Sequence, residues 1–316
     1  MNIREHVVLL VGGVGGAKLA LGLSYILPSD TLTIIVNTAD DFEHLGLYIS
    51  PDLDTVMYTL AGLANPQTGW GIADDSFQAI EMVERYGGPA WFRLGDRDLA
   101  TNLMRTCLLR EGQTLTEVTQ YLCTRLGLKH PVLPMSDQPV RTLLDTDQGM
   151  LAFQEYFVHQ RWQPAVRAIY FEGSEQARPT QAVSKALEQA SLIVFGPSNP
   201  FLSIGPILAV PGIRQLIAQT EAPCVAVSPI VGGEALKGPA AKLMTELGFE
   251  VSPLGVAKYY RDLLSGIILD TTDQYLCQPI EALGIRCTAQ CIVMENLSDK
   301  VNLAKSLLDW VEDNLL

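Results

Sequence analysis

HVVLLVGGVGGAKLALGLSYIL, residues 6–27, passes from an apolar run through four glycines into a helical pattern. The run HVVLLV (6–11) is apolar almost throughout rather than alternating, which is the pattern of a strand buried on both faces of a parallel sheet. Similar β-branched or apolar runs follow at TLTIIV (31–36), AVRAIYF (165–171), SLIVFG (191–196), PCVAVSP (223–229) and SGIILD (265–270). Helical patterns separate several of them: AKLALGLSYIL (17–27), QAVSKALEQA (181–190), GIRQLIAQT (212–220) and GPAAKLMTELG (238–248). Strand alternating with helix predicts a doubly wound, Rossmann-like α/β fold with a mostly parallel sheet, and residues 1–316 read as a single α/β domain. The rhythm breaks over 72–160. Helices without intervening strands are expected to about residue 130, then short strands and turns over 132–158, so 72–160 reads as an inserted subdomain covering the active cleft.

The chain has 316 residues, 48% of them hydrophobic, and a net charge of −13, ample for a large core. No Lys/Arg cluster offers a broad nucleic-acid surface, and no apolar run approaches the ~20 residues of a membrane helix. The N-terminal stretch lacks a signal-peptide pattern. The six cysteines form no CxxC and the four histidines no HExxH. Reduced thiols and a cytoplasmic location are expected, with neither nucleic acid nor membrane as partner.

The glycines of VGGVGGAK (Gly12, Gly13, Gly15, Gly16) let backbone approach a phosphate closely, and the helix that follows offers unpaired N–H groups. Lys18 adds a point charge. The string is neither the dinucleotide fingerprint nor a Walker A loop, since no Gly falls three after Gly15 and no Ser or Thr follows Lys18. The alternative role for these glycines is close strand–helix packing alone.

NTADDFEHLGLYISPDLDT (37–55) crowds Asp40, Asp41, Glu43, Asp52 and Asp54 behind the second strand. Ligands of open α/β sheets bind beyond the carboxyl ends of the strands, so this cluster and the glycine loop are expected to share one crevice. Carboxylates beside a phosphate site call for a hard cation such as Mg2+ between them, or for a base that takes a proton from an attacking hydroxyl. Pro51 marks a helix start, which leaves Asp52 as a cap or first-turn residue. Further loops carry Trp70, Arg93, Arg97, Asp96 and Asp98, then Ser198 and Asn199 in GPSNP, and Ser228 in SPIVGGEALKGPAAK.

VGGVGGAKL, NTADDFEHLGLYISPDLDT, WGIADDSF, RLGDRDLAT, LPMSDQPVRT, FQEYFV, GPSNPFLSIGPIL and SPIVGG, in that order from about residue 7 to 262, closely resemble the 2-phospho-L-lactate transferase family (CofD). That resemblance implies a Rossmann-like, usually dimeric enzyme of deazaflavin coenzyme biosynthesis. It would transfer a phospho-three-carbon-acid group (phospholactate, phosphoenolpyruvate or phosphoglycerate) from its diphosphoguanosine-linked form to the ribityl hydroxyl of Fo. Fo is 7,8-didemethyl-8-hydroxy-5-deazariboflavin, the products are a form of coenzyme F420-0 and GMP, and Mg2+ is required. By position, Asp54 and Arg93 match Fo-contacting residues, with Arg93 standing where many relatives carry Lys. Asp40 and Asp54 match the carboxylates that would hold the metal and assist catalysis, and the glycine and GPSNP loops match GDP-binding segments. A rival resemblance is to YvcK-type nucleotide-sugar-binding regulators, which typically show a Gly/Ser-rich run after DD where this chain has DDFEHLG.

Overall fold

The computed structural model describes residues 3–235 and 238–316. Positions 236–237, inside the SPIVGGEALKGPAAK stretch, lie outside the described residues. The chain opens with β1 (Val7–Val11), α1 (Val14–Ile26), β2 (Leu32–Val36), a hairpin of β3 (Phe42–His44) and β4 (Leu47–Ile49), and α2 (Pro51–Leu60). Three helices follow, α3 (Gln78–Arg85), α4 (Asp96–Arg110) and α5 (Leu115–Arg125), then β5 (Val132–Pro134), β6 (Arg141–Thr146), β7 (Gly149–Ala152) and β8 (Val166–Glu172). Next come α6 (Gln181–Glu188), β9 (Leu192–Phe195), α7 (Gly205–Ala209), α8 (Ile213–Gln219), β10 (Cys224–Val227), and the small pair β11 (Ile230–Val231) and β12 (Glu234–Ala235). The chain closes with α9 (Ala240–Glu246), α10 (Pro253–Tyr259), β13 (Gly266–Asp270), α11 (Cys277–Glu281), β14 (Arg286–Gln290) and α12 (Leu297–Asn314).

The central sheet has seven strands in the order β14-β13-β10-β9-β1-β2-β5. Every pairing in it is parallel, which establishes the Rossmann-like α/β fold. Successive side chains of a strand point to opposite faces, and β1 shows the consequence. Val7, Leu9 and Val11 enter one apolar layer with Leu53, Val118, Leu303 and Leu307, whereas Val8 and Leu10 enter the other with Val183, Ile213, Leu243 and Val256. Helices α1, α2, α5 and α12 thus cover one face, and α6 to α10 the other.

Two parts of the sequence reading change. AVRAIYF does form a strand, β8, but in a separate antiparallel sheet β7-β6-β8. It alternates between packed Val166, Ile169 and Phe171 and exposed Arg167 and Tyr170, so it is covered on one face only. The 72–160 segment is not one continuous insertion, because Val132–Pro134 returns to the main sheet and pairs with β2. The C-terminal fifty residues supply the edge strand β14 and the helix α12. Gly22 of α1 meets that helix so closely that a Cβ there would overlap the Lys300 carbonyl. Among the described residues no single helix is long and apolar enough to cross a membrane, and the cysteines are free thiols.

Candidate active site

A cavity of about 770 Å3 lies beyond the carboxyl ends of β1, β2, β9 and β10, where an α/β sheet binds its ligands. Of the residues singled out from sequence, Gly13, Gly15, Lys18, Asp40, Asp54, Arg93, Ser198 and Asn199 all border it. Gly12, Gly16 and Ser228 do not. Gly12 donates its N–H to Ser198 Oγ at 3.2 Å, and Gly16 packs so tightly on Val11 and Ser198 that a Cβ has no room. Ser228 is fully buried and closes a turn, its hydroxyl donating to the Ile230 carbonyl at 2.8 Å and accepting the Ile230 N–H at 3.1 Å. In the structure these three take part in packing and turn formation.

The glycine loop and the GPSNP loop are one interlocked unit. A Cβ on Gly15 would overlap the Pro197 carbonyl oxygen. Asn199 accepts the N–H groups of Phe201 and Leu202 at 2.9 and 3.2 Å, capping the turn that follows. Lys18 donates to the Met294 carbonyl at 2.6 Å, so the C-terminal segment reaches the cavity too.

Asp52 is the residue the sequence reading undervalued. It lies in the first turn of α2, one of its two expected positions, while Ser50 stands at the cap. The Asp52 carboxylate lies against the glycine loop, 2.9 and 3.0 Å from where Cβ atoms on Gly12 and Gly13 would sit. Asn37 Nδ2 donates to both Asp40 Oδ2 and Asp52 Oδ2, at 3.0 Å each. A buried carboxylate, Asp40, and a partly buried one, Asp52, therefore share one neutral donor. Burial first, and Asp52's charge second, hold Asp40 well above the ordinary carboxylate range. Burial also pushes Asp52 up to about 6, against hydrogen bonds from Asn37 and the Gly13 N–H.

Asp54 faces elsewhere. Arg105 of α4, fully buried, grips both its oxygens: Nη1 meets Oδ2 at 3.1 Å and Nη2 meets Oδ1. Asn102 Oδ1 accepts from the same Nη1 at 2.7 Å. Burial works against the Arg105 charge, but the Asp54 carboxylate more than compensates and raises its pKa. Asp54 remains raised by burial, with Arg105 opposing. Burial likewise lifts Asp41 to about 7, although Ser50 donates to it. Nothing in the sequence spacing singles out Arg105; only the packing of α4 on α2 brings it to Asp54.

The acids of the 72–98 stretch divide by role. Asp75 accepts the N–H groups of Arg97 and Asp98 at the start of α4, while Asp96 accepts those of Gln78 and Ala79 at the start of α3. The start of α4 is thus capped from the loop before α3, and the start of α3 by the first residue of α4. Arg97 donates to the Ala73 carbonyl and stays outside the cavity. Arg93 is half-exposed, sits over the Phe77 ring at 5.0 Å and lies 3.6 Å from Glu81. Trp70, Phe92 and Leu94 border the cavity beside it.

Among the described residues no group of three or more His, Cys, Asp or Glu forms a ready metal cage. Mg2+ commonly takes one or two carboxylates and completes its shell with phosphate and water, so the test falls on pairs. Asp40 and Asp54 were the expected pair. Both Asp54 oxygens engage Arg105, and the carboxylate beside Asp40 is Asp52. Asp40 Oδ1 is buried without a hydrogen bond of ordinary geometry. The Asp40–Asp52 pair against the glycine loop fits a divalent cation better than the expected one.

A parallel α/β sheet with a glycine loop, a Ser/Asn loop and a carboxylate pair meeting at one cavity defines a nucleotide- or phosphate-handling enzyme. Comparison with known proteins makes this specific. The family model described as 2-phospho-L-lactate transferase CofD matches residues 7–287, and the chain belongs to that family of transferases. It is 44% identical over 314 residues to a phosphoenolpyruvate transferase of Streptomyces griseus, covering 98% of this chain and 99% of that one. It is 42% identical over 317 residues to the 2-phospho-L-lactate transferase of Methanopyrus kandleri, covering 99% of each. The Methanosarcina mazei 2-phospho-L-lactate transferase is 40% identical over 298 residues, 94% of this chain and 98% of that one. A solved structure of a upf0052-family protein from Bacillus halodurans superimposes with a TM-score of 0.62 at 18% identity, over 96% of this chain and 98% of that chain. At that identity the likeness bears on the fold alone.

Proposed function

We propose that this transferase moves a phospho-three-carbon-acid group from its diphosphoguanosine-linked form to the ribityl hydroxyl of Fo, releasing GMP. The observation that carries the reading is one cavity, large enough for drug-sized ligands, which joins the glycine and GPSNP loops to a wall of Trp70, Phe92 and Arg93. Gly13, Gly15 and the first N–H groups of α1 hold the guanosine phosphates, with Lys18, Ser198 and Asn199 beside them. Arg93 and the aromatic side chains receive the deazaflavin ring and its ribityl arm, and homodimeric assembly belongs to the same reading. Mg2+, held by Asp40 and Asp52, would neutralise the diphosphate as charge moves toward GMP. Arg105 holds Asp54 fixed in direction, ready to accept a hydrogen bond from the acceptor. Transfer of this kind needs positioning and charge neutralisation more than covalent catalysis.

The test incubates purified protein with Fo, Mg2+ and each of lactyl-, enolpyruvyl- and glyceryl-diphosphoguanosine, and follows GMP and deazaflavin product by mass. One donor is expected to yield equimolar GMP and product. Absence of product with all three overturns the reading.

A further inference from the structure

The stretch that brings Phe92, Arg93 and Leu94 to the cavity also brings Asp98, in the first turn of α4. Its Oδ1 accepts the Tyr58 hydroxyl at 2.8 Å and Asn102 Nδ2 at 3.3 Å. Its Oδ2 takes no hydrogen bond among the described residues. Tyr58 is buried in α2, one turn beyond Asp54, so the phenol fixes the Asp98 carboxylate from behind. Asp54 itself is poorly suited to accept a proton, because both its oxygens hold Arg105 and that guanidinium favours its charged form.

We propose that Asp98 is the general base of the transfer, taking the proton from the acceptor's attacking hydroxyl. The inference rests on the transferase reading above. The hydroxyl proton passes to Asp98 Oδ2 while the acceptor oxygen forms a bond to the phosphorus bearing the three-carbon acid. The bond from that phosphorus to the GMP oxygen breaks, and its electron pair leaves with GMP. Asp98 then releases the proton to water. The charged and titratable groups around Asp98 are Asp54 and Tyr58 on α2, Arg105 on α4 and Asp75 on the preceding loop. Burial first and the Asp54 charge second push the carboxyl up to about 7, while Tyr58 and Arg105 oppose. A base poised there accepts a proton near neutral pH and returns it readily.

The experiment compares Asp98→Asn with the unaltered protein in the mass assay, from pH 5.5 to 9. Asparagine keeps an oxygen for Tyr58, so the hydrogen bond behind the site survives. A general base contributes roughly 100-fold or more. We expect kcat to fall by about that factor, the acceptor KM to change less than about threefold, and the acid limb near pH 7 to vanish from the kcat/KM profile. A variant within about threefold of the normal kcat, or one keeping the limb, overturns the proposal while leaving the transferase reading intact. An unaltered protein that makes no product removes both. If circular dichroism shows Asp98→Asn unfolded, Tyr58→Phe serves instead. It is expected to lower kcat about tenfold and displace the limb, and an unchanged profile overturns the proposal.

Discussion

Arg105→Met removes a fully buried cation that grips one of these carboxylates. The side chains are similar in length, so the change removes charge and donors more than volume. Removing one partner of a buried pair costs about 3–5 kcal/mol, and here an upper bound follows from the chemistry. Stripped of Arg105, Asp54 stays buried beside Tyr58, with Asp98 hydrogen-bonded to that phenol. It relieves itself by taking a proton, while the unfolded chain leaves it ionised. At pH 7.5, protonating a carboxyl of ordinary pKa 3.9 costs about 1.36 × 3.6, or about 5 kcal/mol; at pH 5.5 it costs about 2 kcal/mol. The sign follows: the folded variant binds the extra proton, so its stability rises as pH falls. The penalty of Arg105→Met should therefore shrink by about 2–3 kcal/mol between pH 7.5 and 5.5, measured by urea unfolding with chelator present. Adding Asp54→Asn should recover much of the loss at pH 7.5, since no charge is then buried alone. Equal penalties at both pH values would refute the reasoning, because the variant would then be losing packing rather than stranding a carboxylate.

Other outcomes follow from the same geometry. Gly15→Ala sets a methyl into the Pro197 carbonyl, parts the two phosphate-binding loops, and should weaken calorimetrically measured GDP binding at least about tenfold. Unchanged titration curves would mean the loops are not joined there. Thr114→Ala removes half of the capping box of α5, formed with Glu117, and should cost about 1 kcal/mol in urea unfolding. Its turnover should equal that of the unaltered chain, because α5 does not border the cavity. Asp40→Asn and Asp52→Asn should each weaken Mn2+ binding, read by electron paramagnetic resonance, about tenfold or more, whereas Asp54→Asn should not.

What the sequence displays is what is local. The β1–glycine–α1 unit, the paired Asp40 and Asp41 and the GPSNP loop are each set by a few consecutive residues, and each stands where its pattern puts it. AVRAIYF misleads because apolar content hides its alternation: Arg167 and Tyr170 point outward and assign it to a sheet covered on one face. Val132–Pro134 is too short to show that it rejoins the main sheet. The site's charge pattern is harder still to see. Asp52 and Asp54 differ by two positions on one helix, and two steps of about 100° turn their side chains to different sides. One meets Asn37 and the glycine loop; the other meets Arg105, fifty-one residues away in sequence. The spacing D-L-D announces the divergence but not the partners, which depend on where α4 packs. Asp96 and Asp98 read alike as loop acids, and only the crossed capping of α3 and α4 sets Asp96 on the α3 start while Asp98 borders the cavity.

The separate partners of Asp52 and Asp54 bear on why so much negative charge persists in one span. Arg105 can neutralise only one of Asp40, Asp52 and Asp54, and the Asp40–Asp52 pair retains its mutual repulsion. Folding with an empty cavity therefore carries an electrostatic penalty that a cation and a diphosphate together would relieve. A ligand bound only by the folded state adds RT ln(1 + [L]/Kd), about 2.7 kcal/mol at a hundredfold excess over Kd. The order of addition separates this account from simple ligand binding. GDP alone brings anions to carboxylates and should raise the unfolding temperature little; Mg2+ alone should raise it modestly; the two together should exceed the sum. In Asp40→Asn the repulsion is gone, so the empty protein should be at least as stable as normal at pH 8 while the cooperative gain disappears. Additive shifts in the unaltered chain, or a cooperative gain surviving in Asp40→Asn, would mean that the acidic span is not the place where cation and nucleotide meet.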